Sequence, residues 1–134
     1  MSEKIGLSPQ LKDSLNALGS GLSGDIIINI LSADDTLPAT SSAWTKVVKF
    51  QLEDSIGNVM DWFNGTIDAL VGDTSTAGTA SVDDATPAVV NGVGSIILSG
   101  DASAWLATET ATIAFSGTLP TKTLATKTFT RTIV

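Results

Sequence analysis

The sequence predicts an all-β fold, an antiparallel sandwich or small barrel preceded by a short N-terminal helical arm. Three observations predict it. β-Branched Val, Ile and Thr recur in short runs through most of the 134 residues, and such residues pack well on a pleated surface. Turn signals separate these runs at the spacing of a sandwich or small barrel. The connections are too short for helical crossovers, so the strands should pair antiparallel.

A helical period is confined to residues 7–19. Ser8 suits the N-cap, where its hydroxyl accepts from an open N–H of the first turn. Pro9 suits the next position, where its missing N–H costs nothing. Leu11, Leu15 and Leu18 then fall on one face, and Gly19 and Gly21 end the helix. About ten residues are too few to hold a helix alone, so the stripe must dock on its own domain, on a partner or on a neighbouring copy.

From residue 25 the period becomes that of strands. Residues 25–31, Asp-Ile-Ile-Ile-Asn-Ile-Leu, read as one strand. Residues 32–43, with Asp34, Asp35 and Pro38, read as a loop or linker. In 45–53 Val48, Phe50 and Leu52 alternate with Val47, Lys49, Gln51 and Glu53, the pattern of a half-buried strand. Asp54 to Asn58 reads as a turn, Val59 to Phe63 as strand, Asn64-Gly65 as a hairpin turn and Thr66 to Val71 as strand. Gly72 to Asp84 reads as a polar loop, and Thr86 to Val90 and Val93 to Ser99 as strands about an Asn91-Gly92 turn. A loop from Asp101 to Glu109 precedes strands at Thr110 to Ser116 and Lys122 to Val134. The organisation expected is an arm with a short helix at 1–24, a strand and linker at 25–44, and a sandwich at 45–134.

Composition narrows the function. A chain of this length buries roughly two-thirds of its unfolded surface and needs no disulfide or metal to fold. The net charge of −7, with seven Lys and Arg spread over the chain, argues against nucleic acid, which is held by clustered basic residues. No run approaches the roughly 18 apolar residues of a membrane span, and no secretory signal is visible at the N-terminus. Every carboxylate lies at or before Glu109, whereas Lys122, Lys127 and Arg131 occupy the last strand. That basic strand could meet an acidic neighbour, or its lysines could blunt a sheet edge.

Histidine, cysteine and tyrosine are absent. The usual general base near neutral pH, the thiol nucleophile and the commonest metal ligand go with them. Asp34, Asp35, Asp83 and Asp84 fall in expected loops, with no spacing that forces a pair of carboxylates onto one bond. Asp54, Asn58 and Asp61 lie close together but lack the D-x-[DN]-x-[DN]-G pattern of a calcium loop. No catalytic residue, cofactor or metal is expected. Asn64-Gly65-Thr66 matches the glycosylation sequon, which carries little weight without a secretory route. Trp62 reads as core. Trp44 and Trp105, at loop edges, are either platforms for a sugar or protein contact or caps on the sandwich ends.

Val48 to Asn58 resembles the strand and D-x-x-G-N turn of bacterial immunoglobulin-like domains of the invasin and intimin type. Val90 to Ser99 is similar to their later N-G turn and following strand, and Ala111 to Phe115 fits their closing part. The same pattern occurs in small tailed-phage virion proteins with one such domain, of which capsid decoration (cement or head-fibre) proteins are most similar. The resemblance spans roughly residues 45–134. It implies an immunoglobulin-like antiparallel β-sandwich and a non-enzymatic decoration protein on the outer surface of the head, made in the host cytoplasm. Its implied partners are the major capsid protein and sister copies, a trimer suiting a symmetry axis, with neither nucleic acid nor membrane. Leu11, Leu15, Leu18 and Leu22 of the arm, with Trp44 and Trp105, are the expected partner-binding residues. The alternative is a recognition or adhesion module on a phage tail or bacterial surface, holding glycan or a host surface through Trp44 or Trp105.

Overall fold

The computed structural model describes residues 26–119 and 122–134. The arm, its expected helix and Leu11, Leu15, Leu18 and Leu22 lie outside the described residues. Ten strands follow in chain order: β1 (Ile27–Ile30), β2 (Asp35–Leu37), β3 (Trp44–Glu53), β4 (Gly65–Thr66), β5 (Asp68–Asp73), β6 (Ala80–Val82), β7 (Ala88–Val89), β8 (Val93–Gly100), β9 (Thr110–Leu119) and β10 (Lys122–Ile133). Among the described residues there is no helix.

The strands form two four-stranded sheets, ordered β1-β3-β8-β6 and β2-β10-β9-β5, and a two-stranded ribbon of β4 and β7. Their inner faces make one core. The alternation read in β3 holds: Val48, Phe50 and Leu52 are buried, as are Ile96 and Leu98 beside them on β8. From the opposite sheet come Ala111, Ile113 and Phe115 of β9 and Phe129 and Ile133 of β10. Phe50 and Phe115 meet across the layers with ring centroids 4.9 Å apart.

Two of the connections follow the sequence signals. In the turn after β3 the Asp54 carboxylate accepts from the N–H groups of Ile56 and Asn58, at 3.0 and 2.9 Å. Between β7 and β8, Asn91 and Gly92 take φ of 51° and 80°, and Val90 and Val93 exchange backbone hydrogen bonds. Positive φ at both central residues makes a tight hairpin whose twist matches its strands.

Several expectations change. Asn64-Gly65 makes no hairpin, since neither takes positive φ; β4 pairs instead with β7, twenty-odd residues on. Residues 59–63 are irregular rather than a strand, and Trp62 is only half-buried, edge-on to Phe63. The expected strand and linker contribute two strands to the sandwich, because β1 pairs with β3 and β2 with β10. The β2–β10 pairing is parallel. A crossover helix is needed only where consecutive strands run parallel, and here the connection is the rest of the domain. The expected polar loop 72–84 also contains β6, whose three residues are too few to show a period.

Candidate functional site

Trp44 and Trp105 pack against each other edge to face, with centroids 5.3 Å apart. Trp44 opens β3, and Trp105 is held by a bridge to Thr40 with hydrogen bonds in both directions. They are 8% and 1% exposed, so neither presents a ring face to a sugar or a protein. They occupy the core at one end of the sandwich. The reason is close approach: Gly100, paired with Trp44 across β3 and β8, leaves room for the indole where a Cβ would come within 2.2 Å of it. The Trp105 indole N–H donates to the Asp101 carbonyl at 3.1 Å.

Arg131 joins this end. It shares the inward side of β10 with Phe129 and Ile133, and its guanidinium lies 5.0 Å from the Trp44 ring centroid, within the range of a cation–π contact. Its Nε is 3.1 Å from Asp35 Oδ1, and Lys46 Nζ is 2.8 Å from Asp35 Oδ2. The Arg131–Asp35 approach is ionic rather than an aligned hydrogen bond, since neither atom meets hydrogen-bond geometry. Arg131 is thus withdrawn from the basic surface that the sequence suggested.

The loop carboxylates hold backbone. Asp34 accepts from the Thr130 N–H at 2.9 Å and Asp83 from that of Ile97 at 2.8 Å. Asp84 accepts from the Thr86 N–H at 2.8 Å. Glu109, buried before β9, accepts from the N–H groups of Leu106 and Thr76 at 2.8 and 2.9 Å and from the Ser75 and Thr76 hydroxyls. Those backbone bonds, Leu106 first, hold its carboxyl below the usual glutamate range. Asp101 is likewise lowered, first by the Thr79 N–H that its carboxylate accepts at 3.1 Å. Among the described residues no three His, Cys, Asp or Glu side chains converge as a metal site.

What remains outward and unusual is one sheet face. On the outer side of β1-β3-β8-β6, Val47 stands opposite Ile97, at 50% and 37% exposure. Leu31 lies alongside, its N–H donating to the Lys49 carbonyl. Ile27, Val59 and Val93 are exposed toward the other end of this face. The outer face of the second sheet is different: Thr110 and Thr112 stand opposite Thr132 and Thr130, and Ala114 opposite Thr128. Sequence reading passed over this apolar face. The signal was present, for Val47 breaks the polar side of the β3 alternation and Ile97 sits inside an apolar triplet.

The fold and this geometry define a small antiparallel β-sandwich with one apolar and one threonine-rich outer face. No family model matches the chain, and no curated protein matches it. Among solved structures it is similar to SSP-19, an MSP-domain protein like family member in Caenorhabditis elegans, with 9% identity, 76% of this chain and 94% of that chain covered, and a TM-score of 0.43.

Proposed function

We propose that the chain is a non-enzymatic structural protein of a tailed-phage virion, a capsid decoration protein bound to the outer surface of the head. The observation that carries the reading is the local agreement with the resemblance. The stretch Val48 to Asn58 is built as the end of β3 and its aspartate-closed turn. The stretch Val90 to Ser99 is built as the Asn91-Gly92 turn and β8. The sheet orders β1-β3-β8-β6 and β2-β10-β9-β5 support an immunoglobulin-like sandwich, whose sheets hold strands A, B, E, D and C, F, G. In this reading the sandwich projects from the shell, and the arm, through Leu11, Leu15, Leu18 and Leu22, attaches it to the major capsid protein or to sister copies.

Co-sedimentation of the full chain with phage heads lacking it tests this. Saturable binding at a fixed number of copies per head is expected, and a Leu11→Asp/Leu15→Asp variant should bind at least about tenfold more weakly, the loss of two buried leucines. Absence of binding by the full chain would overturn the decoration reading; equal binding by the variant would remove the arm from it.

A further inference from the structure

Five exposed large apolar residues gather at one end of the sandwich, the end at which β3 finishes. Ile56 is 80% exposed, Val90 57%, Val93 44%, Ile27 41% and Val59 37%. Backbone pairing brings them together. Val90 and Val93 exchange hydrogen bonds across the Asn91-Gly92 turn. A Cβ at Gly92 would stand 3.0 Å from Val59 Cγ1, so Val59 lies against that hairpin. Glu53 pairs with Ile27 on one side and Val59 on the other. Glu53 is itself only 8% exposed, its carboxylate accepting from the amides of Asn29 and Gln51, so the charge between Ile27 and Val59 is covered. Ile56 tips the adjoining turn, whose Asp54 carboxylate is taken up by the N–H groups of Ile56 and Asn58.

Exposed apolar side chains gathered within a polar rim mark a contact surface. We propose that this end of the sandwich seats on the capsid shell. Ile56, Val59, Val90 and Val93 pack there on apolar side chains of the major capsid protein, and the exposed Asn58 and Asn91 lie at the rim. The proposal rests on the decoration reading and adds a second contact to that of the arm.

The point at which the described chain begins argues for the shell as occupant. Ile26 leads into Ile27, so the 25 residues ahead of it join the sandwich at this end. In the decoration reading Leu22 touches the shell. Leu22 is four residues from Ile26, a reach of at most about 14 Å. The far end, with Trp44, lies nine residues back along β3 from Glu53, about 30 Å away. A tether of that length keeps the β3-terminal end by the shell and leaves the tryptophan end outward. It also raises the local concentration of the patch over the shell to the order of millimolar, so a small contact suffices.

Co-sedimentation with phage heads lacking the protein, using the full chain and its variants, tests this. Ile56→Glu/Val90→Glu should bind at least about tenfold more weakly, the loss of two buried aliphatic side chains, with the urea midpoint in place. Ile56→Glu alone, at the tip of a turn, leaves the hairpin untouched and should weaken binding in the same direction. Leu70→Glu, at a position 72% exposed on the outer face of the other sheet, should bind as wild type does. Equal binding by the double variant and wild type would overturn the proposal and leave the decoration reading standing. Equal weakening by Leu70→Glu would also overturn it, since the effect would then be one of charge and not of place. No binding by wild type would remove both. A dimer of the free protein in sedimentation velocity, dissociated by Ile56→Glu/Val90→Glu, would overturn it in favour of a second copy.

Discussion

Glu109 shows what a single side chain contributes here. Its carboxylate collects donors from Ser75, Thr76 and Leu106, joining the loop after β5 to the loop before β9. Because its folded pKa is lowered, its stabilisation is present above the ordinary glutamate range and is lost as pH falls through the lower folded value. Glu109→Gln, whose amide turns a donor toward N–H groups, should be less stable than wild type at neutral pH. The gap should narrow as pH falls below the glutamate range. Urea denaturation at a series of pH values reads this, and parallel curves would show that Glu109 is not the group that titrates. Arg131 acts by a different route, placing a cation against Trp44 and beside Asp35, with the two side chains 11% and 26% exposed.

At the scale of elements, the β7–β8 hairpin and the last strand carry most of the local design. Gly92 has φ of 80° and a carbonyl of Met60 where a Cβ would stand, at 2.5 Å. Gly92→Ala should destabilise by about 1–2 kcal/mol from the left-handed backbone alone, and by more from that contact, seen as a lower urea midpoint. β10 meets β2 only over Arg131 to Ile133. Among the described residues the rest of its outer side is flanked by no strand. A register shift between Leu124 and Lys127 and the exposed Lys127 lie on that stretch, features that discourage edge-to-edge pairing. The basic residues of the last strand therefore divide: Lys127 guards an edge, and Arg131 turns inward.

For the whole molecule, the two sheets share one core, so they should unfold together. Phe115, fully buried against Phe50, is the place to test this. Phe115→Ala should cost about 3–5 kcal/mol, a large share of the 5–15 kcal/mol typical of a domain. Tryptophan fluorescence and far-ultraviolet circular dichroism should report the same midpoint; separate midpoints would mean that the sheets fold apart. By contrast Leu70→Ala, on an outer face at 72% exposure, should change stability by no more than about 0.5 kcal/mol.

Those contrasts trace what could be read before folding. The all-β class, the inward set Val48, Phe50 and Leu52, the Asp54 turn and the Asn91-Gly92 hairpin were legible, because each rests on a period or a turn preference within a few residues. β2 and β6 were not, since three residues carry no period. The Asn64-Gly65 signal misled because a tolerance for positive φ is only a permission, and tertiary pairing with β7 used the segment otherwise. Trp44 and Trp105 are 61 residues apart in sequence, and nothing local says that each ring will be buried on the other. Sequence by itself determined where strands and turns form, since those choices depend on neighbours along the chain. Only the tertiary structure decided which strands pair, which aromatic rings leave water and which face stays apolar, because those depend on groups that meet only once the two sheets close.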